Sequence, residues 1–336
     1  MLKTGKLDSK ILEDIVFGNI KLKRKEVLVR PGIGEDCAVI DFGGYECVMS
    51  TDPVSAAVDQ IGRLAVNISC NDIASNGVEP IGIMLAVMLP EGTTEEEVGE
   101  MMKQAGEAAA ELGVEIIGGH TEITHAVRQP VIVSTAIGRA PAGASRNAGR
   151  IKSGDLIYLT KWAGLEGSGI LAGDRGDELA EKLSADEIDE AKSYLNLISV
   201  VREGVIAGET GFSGMHDVTE GGVLGAVWEL CHTSGAGAEI WQESIPVTDV
   251  TRKICEVYKI DPLRLISSGC MMIIISPDKE ETLKKKLASC DIKASLIGIV
   301  KDASCGIKLI RQGGADEIAP PGSDEIYKAI IQQKPL

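Results

Sequence analysis

Hydrophobic positions in the first half of the chain follow two different periods. Short runs of consecutive apolar residues alternate with longer segments in which apolar residues recur every three or four positions. The first pattern is typical of buried strands and the second of amphipathic helices. A helix that begins after Thr94 also has a capping-box partner at Glu97. The pattern predicts strands at 45–50, 81–89, 114–117 and 131–138, and helices at 61–76 and 95–112.

The second half repeats this alternation after a segment rich in Gly, Ala and Pro at 140–150, which predicts a domain boundary. We therefore expect one domain over residues 1–145 and another over residues 146–336. A long helix is predicted from a capping serine, Ser184, to Gly211. Alternating strands and helices favour mixed α/β layers over a helical bundle or a β-sandwich. The remaining predicted elements are strands at 155–160, 270–276 and 294–300, and helices after 222 and at 278–290.

Composition narrows the class of protein. The chain has 336 residues, 44% apolar and 25% charged, which suffices for two ordinary globular cores. No apolar run approaches the roughly 20 residues that span a bilayer, so we expect a cytoplasmic protein without a membrane partner. The net charge is −16 and the longest basic run is KLKRK, so no nucleic-acid partner is expected. Eight scattered cysteines without a C-x-x-C pair argue against a zinc site and a disulfide framework.

One carboxylate falls on the apolar face of a predicted helix. Asp72 lies eleven residues after Ile61, and at about 100° per residue it returns to within about 20° of that side chain. A buried charge is costly unless it meets a cation, hydrogen-bond donors or a ligand. The alternative is that the helix ends by residue 70 and Asp72 only caps a turn.

Three more carboxylates lie at predicted loop or strand ends. Asp36 lies in the loop PGIGEDCA, Asp52 ends a predicted strand, and Glu122 follows a predicted Gly-Gly turn. Taken alone, Asp36 and Asp52 are each explained as a residue that fixes a turn. Together with Asp72 they supply the oxygen ligands that Mg²⁺ prefers, completed by phosphate and water. The sequence has neither a P-loop nor a dinucleotide fingerprint, so metal and glycine-rich backbone must hold any nucleotide.

The histidines leave alternatives open. His120, Glu122 and His125 form H-x-E-x-x-H, which is not the helical spacing of zinc ligands, so zinc is not expected. His216 and Asp217 come shortly before a Gly-Gly pair that predicts the start of a helix. Both an anion-binding site and a plain helix cap are compatible with that arrangement.

Six segments together resemble a known superfamily. They are GIGEDCAVID (32–41), STD (50–52), NDIASNGVEP (71–80), EIIGGHTE (115–122), GMHDVTEGGV (214–223) and ISSGCMMI (266–273). In this order and spacing they resemble the aminoimidazole ribonucleotide synthetase (PurM-like) superfamily. That superfamily includes selenophosphate synthetase, thiamin-monophosphate kinase and the hydrogenase maturation protein HypE.

The resemblance implies an α/β and α+β, PurM-like two-domain architecture. The N-terminal α/β domain would form a shared barrel in a homodimer, and the C-terminal α+β domain would have a ferredoxin-like core. ATP and Mg²⁺ are implied as cofactors, with phosphoryl transfer to an oxygen that is often part of an amide. The implied metal ligands are Asp36, Asp52 and Asp72; the implied nucleotide contacts are Asn71, Gly118, Gly119, Thr121 and Glu122; the implied catalytic residues are Asp36, Glu122, His216 and Asp217.

Within the superfamily the sequence most resembles the HypE group, through the ND-x-x-x-x-G-x-x-P run and the ISSG strand. Proteins of that group end in a cysteine that carries a carbamoyl group, whereas this chain ends IIQQKPL and Cys305 lies too far upstream. His120 also stands where relatives usually have an acid, and Cys37 where Ala is usual. We therefore expect a paralogue that acts on another substrate at least as readily as a protein that converts a carbamoyl group on its own cysteine to a cyano group.

The predicted function is ATP-dependent phosphoryl transfer that activates an amide or carboxyl oxygen. The acceptor would be a small molecule or a protein-borne carbamoyl or amide group. Two other classes stay open, namely a nucleotide-binding module without turnover that serves a metallocentre-maturation partner, and a purine-biosynthesis-type ligase. A third interpretation is that the acidic residues only cap loops and the α/β protein has some other activity.

Overall fold

The computed structural model of the protein describes residues 7, 9–55, 60–145 and 151–331. Two predictions fall partly outside these residues. The predicted domain boundary runs into residues 146–150, and the C-terminal run that lacks a cysteine includes residues 332–336. Both therefore stay predictions.

The first half of the chain forms a six-stranded sheet. Its strands are β1 (Val27–Val29), β2 (Ala38–Asp41), β3 (Tyr45–Val54), β4 (Pro80–Leu89), β5 (Glu115–Ile123) and β6 (Val131–Pro141). They lie in the order β1-β2-β3-β6-β4-β5, and every pair is antiparallel except β4 and β5. The sheet is open, because β1 and β5 form its two edges within the described residues.

Helices cover one face of this sheet. Helix α1 (Ser9–Ile11) continues into a π turn and a 3-10 turn, and the two long helices are α2 (Ile61–Ser75) and α3 (Glu95–Leu112). Helix α2 packs on β3 and β6, and α3 packs on α2. Almost every side chain of α2 is buried, because it lies between the sheet, α3 and the second domain. The capping box at Thr94 and Glu97 is confirmed.

The second half forms a seven-stranded mixed sheet. Its strands are β7 (Leu156–Thr160), β8 (Gly214–Asp217), β9 (Gly237–Trp241), β10 (Met271–Ile275), β11 (Ala294–Lys301), β12 (Ile307–Arg311) and β13 (Gly314–Glu317). The order is β13-β12-β9-β11-β7-β10-β8, with only β9 and β12 parallel. Every residue of β10 is buried, which is expected for a strand covered on both faces. Strand β8 is an edge strand and faces the first domain, where it contacts α2.

Helices of the second half lie on both faces of this sheet, so its strands contribute to two separate hydrophobic clusters. One of these clusters is continuous with the core of the first domain. The helices are α4 (Leu165–Asp174), α5 (Gly176–Leu179), α6 (Ala185–Ser193), α7 (Val201–Thr210), α8 (Gly222–Ser234), α9 (Asp249–Tyr258), α10 (Glu280–Ala288) and α11 (Glu325–Ile331).

The predicted long helix from Ser184 to Gly211 is wrong, although its capping box is confirmed. The structure has α6, a 3-10 turn at Tyr194–Leu197, and then α7. Between them the backbone groups of residues 197–200 bond to side chains from elsewhere in the fold. Those tertiary hydrogen bonds replace the helical ones that the sequence pattern predicted.

Two predicted strands are longer than the sequence indicated. Strand β3 continues to Val54, so Asp52 lies within a strand and does not end it. Strand β5 runs through Gly118 and Gly119, so the predicted Gly-Gly turn is wrong. Gly119 has φ +147°, and a Cβ there would lie 1.9 Å from the carbonyl oxygen of Leu85 on β4. The glycine is needed for close backbone approach between two strands, and not for a change of chain direction.

No helix within residues 7, 9–55, 60–145 and 151–331 combines the length and the apolar character needed to cross a bilayer.

Candidate metal and nucleotide site

Asp72 is buried on α2, as helical spacing predicted. Its helix continues to Ser75, so the alternative in which the helix ends by residue 70 is excluded. The Ser50 hydroxyl on β3 donates a hydrogen bond to the Asp72 carboxylate and lies 3.4 Å from that of Asp52. Burial, followed by the nearby charges of Asp217 and Asp52, raises the pKa of Asp72 well above its ordinary value. The environment therefore disfavours the free carboxylate unless a cation joins it.

Asp36 reaches the same region from the loop before β2. The Ser75 hydroxyl at the end of α2 donates to its carboxylate over 3.1 Å. The loop is anchored to the second domain, because the Thr233 hydroxyl on α8 donates to the carbonyl of Ile33. Gly34 has φ +74°, and a Cβ there would lie 2.6 Å from the Thr233 hydroxyl oxygen. A glycine is thus required for the loop to turn Asp36 toward α2.

His216 on β8 carries the contact between domains. Its Nδ1 lies 3.1 Å from the Asp36 carboxylate and its Nε2 lies 3.0 Å from that of Glu229 on α8. Burial alone would lower the pKa of His216, but Asp36, Asp217 and Glu229 together raise it well above its ordinary value. The imidazolium form attracts the carboxylates of Asp36 and Glu229 by charge, and its Nε2 is hydrogen-bonded to Glu229. His216 therefore bridges a loop of the first domain and a helix of the second.

Asp217 is the most unusual group in the site. It is 1% exposed, and neither carboxylate oxygen has a hydrogen-bond partner within the described part of the chain. Its Oδ1 lies 3.8 Å from His216 Nδ1. Burial raises the pKa of Asp217 to about 6. A buried carboxylate without donors is costly, and a metal ion would supply the missing partner.

The donor set fits Mg²⁺. One ligand atom each from Asp36, His216 and Asp217 lie within 4.8 Å of one another, and Asp72 adds a further carboxylate that interacts with Asp217. We call Asp36, Asp52, Asp72 and Asp217 the carboxylate cluster. Hard oxygen donors of this kind are typical magnesium ligands. Without a cation, the five carboxyl groups of the cluster and Glu229 have the His216 imidazolium as the one positive charge described above.

The residues predicted on β5 lie elsewhere. Glu122 and His120 are both exposed and contact each other at 3.4 Å. Asp52, Ser134, Leu85 and Gly119 stand opposite one another across β3, β6, β4 and β5. Three interstrand spacings therefore separate this row's ends by about 14 Å. Gly118, Thr121 and Glu122 share the exposed edge with Gly119, so the structure does not bring any of them into the carboxylate cluster.

Asn71 was predicted to contact nucleotide, and in the structure its side chain bonds to protein backbone. It is fully buried, and its amide bonds to the carbonyl of Ile198 and the N–H of Val200. Both ends of the amide are thus engaged by the backbone of the second domain. These contacts give Asn71 a structural role at the domain junction.

Sequence reasoning missed three side chains of the site. Ser50 stands in the STD segment and Ser75 lies three residues after Asp72, so both hydroxyls were within reach of motif analysis. Glu229 lies within α8 and carries no local signal, because only the fold brings it to His216. Asp217 was predicted to border the substrate, and the structure places it among the carboxylates.

Family comparison agrees with the segments from which the resemblance was drawn. The N-terminal domain of AIR synthase related proteins matches residues 34–140, and the C-terminal domain of the same family matches residues 152–309. The chain belongs to the AIR synthase related protein family. Both matched ranges contain parts of the site, since Asp36, Asp52 and Asp72 come from the first and His216 and Asp217 from the second.

Two relatives in this family bear names from hydrogenase maturation. A putative hydrogenase expression/formation protein of Methanocaldococcus jannaschii is 27% identical over 82% of this chain and 82% of its own length. The carbamoyl dehydratase HypE of Rhizobium leguminosarum bv. viciae is 27% identical over 85% of this chain and 82% of its own length. The predicted resemblance to the HypE group is confirmed.

Solved structures share the fold. HypE in complex with ATP has a TM-score of 0.71 at 22% identity, covering 96% of this chain and 97% of that one. The HypE–HypF complex gives 0.71 at 23% identity, over 93% of this chain and 99% of that one. AaThiL complexed with AMPPCP and TMP gives 0.73 at 16% identity, over 96% and 99%. At these identities the likeness confirms the predicted two-domain PurM-like fold.

Proposed function

We propose that this protein is an ATP-dependent enzyme that transfers a phosphoryl group to an amide or carboxyl oxygen. The acceptor is a small molecule or a group carried on a protein. Support comes from the family, from the carbamoyl dehydratase name of one relative, and from an ATP complex with the same fold. In the transfer, the bond between the γ-phosphorus and its bridging oxygen breaks, a bond to the acceptor oxygen forms, and ADP leaves.

The observation that carries the proposal is the buried carboxylate of Asp217, which has no hydrogen-bond partner in the described structure. It lies beside Asp36 from the other domain, with Asp72 also acting on its charge. A plain loop-capping role would give these carboxylates backbone N–H partners. Asp217 lacks such partners, which favours a site built for a cation.

The proposed roles follow from these positions. Asp36, Asp72 and Asp217 hold Mg²⁺, and the Ser50 hydroxyl orients Asp72 relative to Asp52. When bound, Mg²⁺ neutralises charge on the phosphate oxygens as the phosphoryl group moves. His216 keeps a proton between Asp36 and Glu229, which holds the Asp36 side chain toward the cluster.

The strand β5 residues belong to a separate part of the proposal. Gly118, Gly119, Thr121 and Glu122 would contact nucleotide phosphates from the exposed sheet edge, on the family resemblance. Apolar side chains of β4 and β5 are exposed on this sheet, which supports a homodimer that covers them. The exposed side chains are Ile81, Met84, Ile117 and Ile123.

A protein partner is also proposed, since HypE of the same fold forms a complex with HypF. By that analogy the acceptor group would be delivered by a metallocentre-maturation protein. Pull-down with candidate maturation proteins, with and without ATP, would test this part independently of the metal site.

The test of the function uses Asp217→Asn and a matched surface variant, Asp41→Asn. Asp41 is an exposed carboxylate of the same domain as Asp36 and accepts a hydrogen bond from the N–H of Gly43 in a turn. Calorimetric titration with AMPPCP is expected to show Mg²⁺-dependent binding in the wild type and Asp41→Asn, and loss of that dependence in Asp217→Asn. ATP turnover with candidate amides should follow the same order. Equal Mg²⁺-dependent binding in all three proteins would refute the proposed site.

A further inference from the structure

A short backbone segment at the domain junction, residues 197–200, is held from the first domain by one side chain. The Asn71 amide nitrogen donates to the carbonyl oxygen of Ile198 over 2.9 Å, and its amide oxygen accepts from the N–H of Val200 over 2.8 Å. Asn71 and its two backbone partners are all in buried residues. We call residues 197–200 the junction segment.

The second domain holds the same segment through Lys161. Its Nζ donates to the carbonyl oxygens of Leu197, over 2.9 Å, and Ser199, and lies 2.8 Å from the Glu203 carboxylate. Two carbonyl oxygens thus accept hydrogen bonds from the ammonium, and Glu203 pairs with it by charge. Lys161 also has φ +53°, a conformation that side-chain-bearing residues rarely adopt. Such strain persists only where surrounding contacts fix the residue.

The two holding residues are directly connected to the carboxylate cluster. Asn71 precedes Asp72 on α2. Lys161 follows Thr160, whose hydroxyl accepts from the N–H of Met271 over 2.9 Å, and Met271 is paired with Asp217 across β10 and β8. A continuous set of bonds therefore runs from the neighbour of Asp72 to the neighbour of Asp217.

Resting on the proposed metal site, we propose that Asn71 and Lys161 are positioning residues that set the spacing of Asp72 and Asp217 across the domain junction. Mg²⁺ requires near-octahedral geometry with oxygens at about 2.0–2.1 Å. The two carboxylates repel each other when both are charged, so they do not hold that spacing themselves. The junction segment is hydrogen-bonded to Asn71 on one side and Lys161 on the other, and it thereby fixes the position of the first domain relative to the second.

A simpler alternative is that these contacts only stabilise the association of the two domains. A matched variant distinguishes this alternative from the positioning role. Asn67 lies one turn before Asn71 on the same helix and is also buried. Its amide donates to the Arg63 carbonyl oxygen over 2.9 Å, within its own helix. Asn67→Ala therefore removes a buried amide from α2 without touching the junction segment.

The experiment titrates MgCl₂ at fixed AMPPCP in wild type, Asn71→Ala and Asn67→Ala, with thermal unfolding measured on the same samples. Loss of a residue that orients a metal ligand weakens metal binding by about 10–100-fold. We expect that shift in the Mg²⁺ midpoint for Asn71→Ala and none for Asn67→Ala, even where both lower Tm. The paired change Lys161→Met with Glu203→Gln, which leaves no unpaired buried charge, should shift the midpoint likewise. Equal Mg²⁺ midpoints in all four proteins would overturn the proposal.

Hydrogen exchange separates this proposal from the function on which it rests. If wild-type AMPPCP binding does not depend on Mg²⁺, the proposed function fails. The positioning role then stands or falls on exchange at β8 and at residues 69–75, measured without metal. Faster exchange at both places in Asn71→Ala than in Asn67→Ala supports it, and equal exchange contradicts it.

Discussion

Three members of the carboxylate cluster, Asp36, Asp52 and Asp72, were predicted to hold nucleotide-bound Mg²⁺, and residues of strand β5 were predicted to contact the phosphates. The structure gives the two regions different environments. The cluster lies between the two domains, with Asp72 and Asp217 buried and the other two carboxylates half-buried, and it combines side chains from a loop, two strands and a helix. The residues of β5 come from one continuous strand and are exposed along nearly its full length. The cluster is therefore assembled within a single chain, whereas β5 is an exposed edge strand of its sheet.

This difference separates two ways in which sequence motifs carry function. At Asp72 and Asp217, burial makes a charge expensive, so a change at either should affect stability and metal binding together. On β5, side-chain charge is solvated, and only backbone geometry is constrained by the neighbouring strand. Substitutions in the two regions should consequently fail in different ways.

The largest effect is expected for Asp72→Asn. Loss of a metal ligand removes several kcal/mol of transition-state stabilisation, so ATP turnover should fall by about 10²–10³-fold. The metal-free variant should melt at a higher temperature than wild type, because burial and neighbouring carboxylates disfavour the charged Asp72. Steady-state kinetics and calorimetric melts in EDTA measure the two effects. A variant that loses both turnover and stability would show that Asp72 is a structural residue.

On β5 the backbone should matter more than the side chains. Gly118 and Gly119 both have positive φ, so alanine at either costs about 1–3 kcal/mol of strain. Only at Gly119 does the added Cβ overlap a backbone atom, the Leu85 carbonyl oxygen, which adds about 1–3 kcal/mol. In urea unfolding, Gly119→Ala should therefore have a lower free energy of unfolding than Gly118→Ala. The reverse order would mean that β5 is not paired with β4 in this register.

The pH dependence of stability should distinguish the buried region. Asp217 has a native pKa of about 6, above its ordinary value of 3.8. Between these values the native state binds a proton that the unfolded state has lost, so the free energy of unfolding falls as pH rises from about 4 to about 6. In EDTA the loss attributable to Asp217 should be about 1–3 kcal/mol and absent from Asp217→Asn. Parallel pH profiles for the two proteins would contradict a buried, unpartnered carboxylate.

The smallest effect on stability is expected for Glu122→Gln. Its side chain is exposed and contacts only His120 among the ion pairs of the described residues, so the free energy of unfolding should change by less than about 0.5 kcal/mol. If Glu122 contacts nucleotide in a dimer, the KM for ATP should rise while Tm stays constant. An unchanged KM would remove β5 from the proposed nucleotide site.

Local rules predicted the elements and part of the site. Helical spacing placed Asp72 on the buried face of α2, and both capping boxes begin helices where expected. What escaped prediction depends on distant contacts. The helix break before α7 arises from hydrogen bonds to Asn71 and Lys161, far away in sequence.

The same reason explains why the sequence did not reveal the place of Asp217 in the cluster or the strand conformation of the two glycines. Asp217 enters the cluster only because β8 is the sheet edge that packs against α2. Gly118 and Gly119 gave a turn signal because glycine serves both turns and close strand approach, and a single sequence does not distinguish the two. Family resemblance located the segments, while the fold decided which of their side chains meet.

A crystal grown with Mn²⁺ and AMPPCP, with data collected at the manganese absorption edge, tests the shared cation site most directly. We predict that an anomalous peak will mark a manganese ion bonded to carboxylate oxygens of Asp36, Asp72 and Asp217 and to phosphate oxygens of the nucleotide. Nucleotide bound with no peak between these carboxylates, or with a manganese ion held only along β5, would contradict a cation held jointly by the two domains.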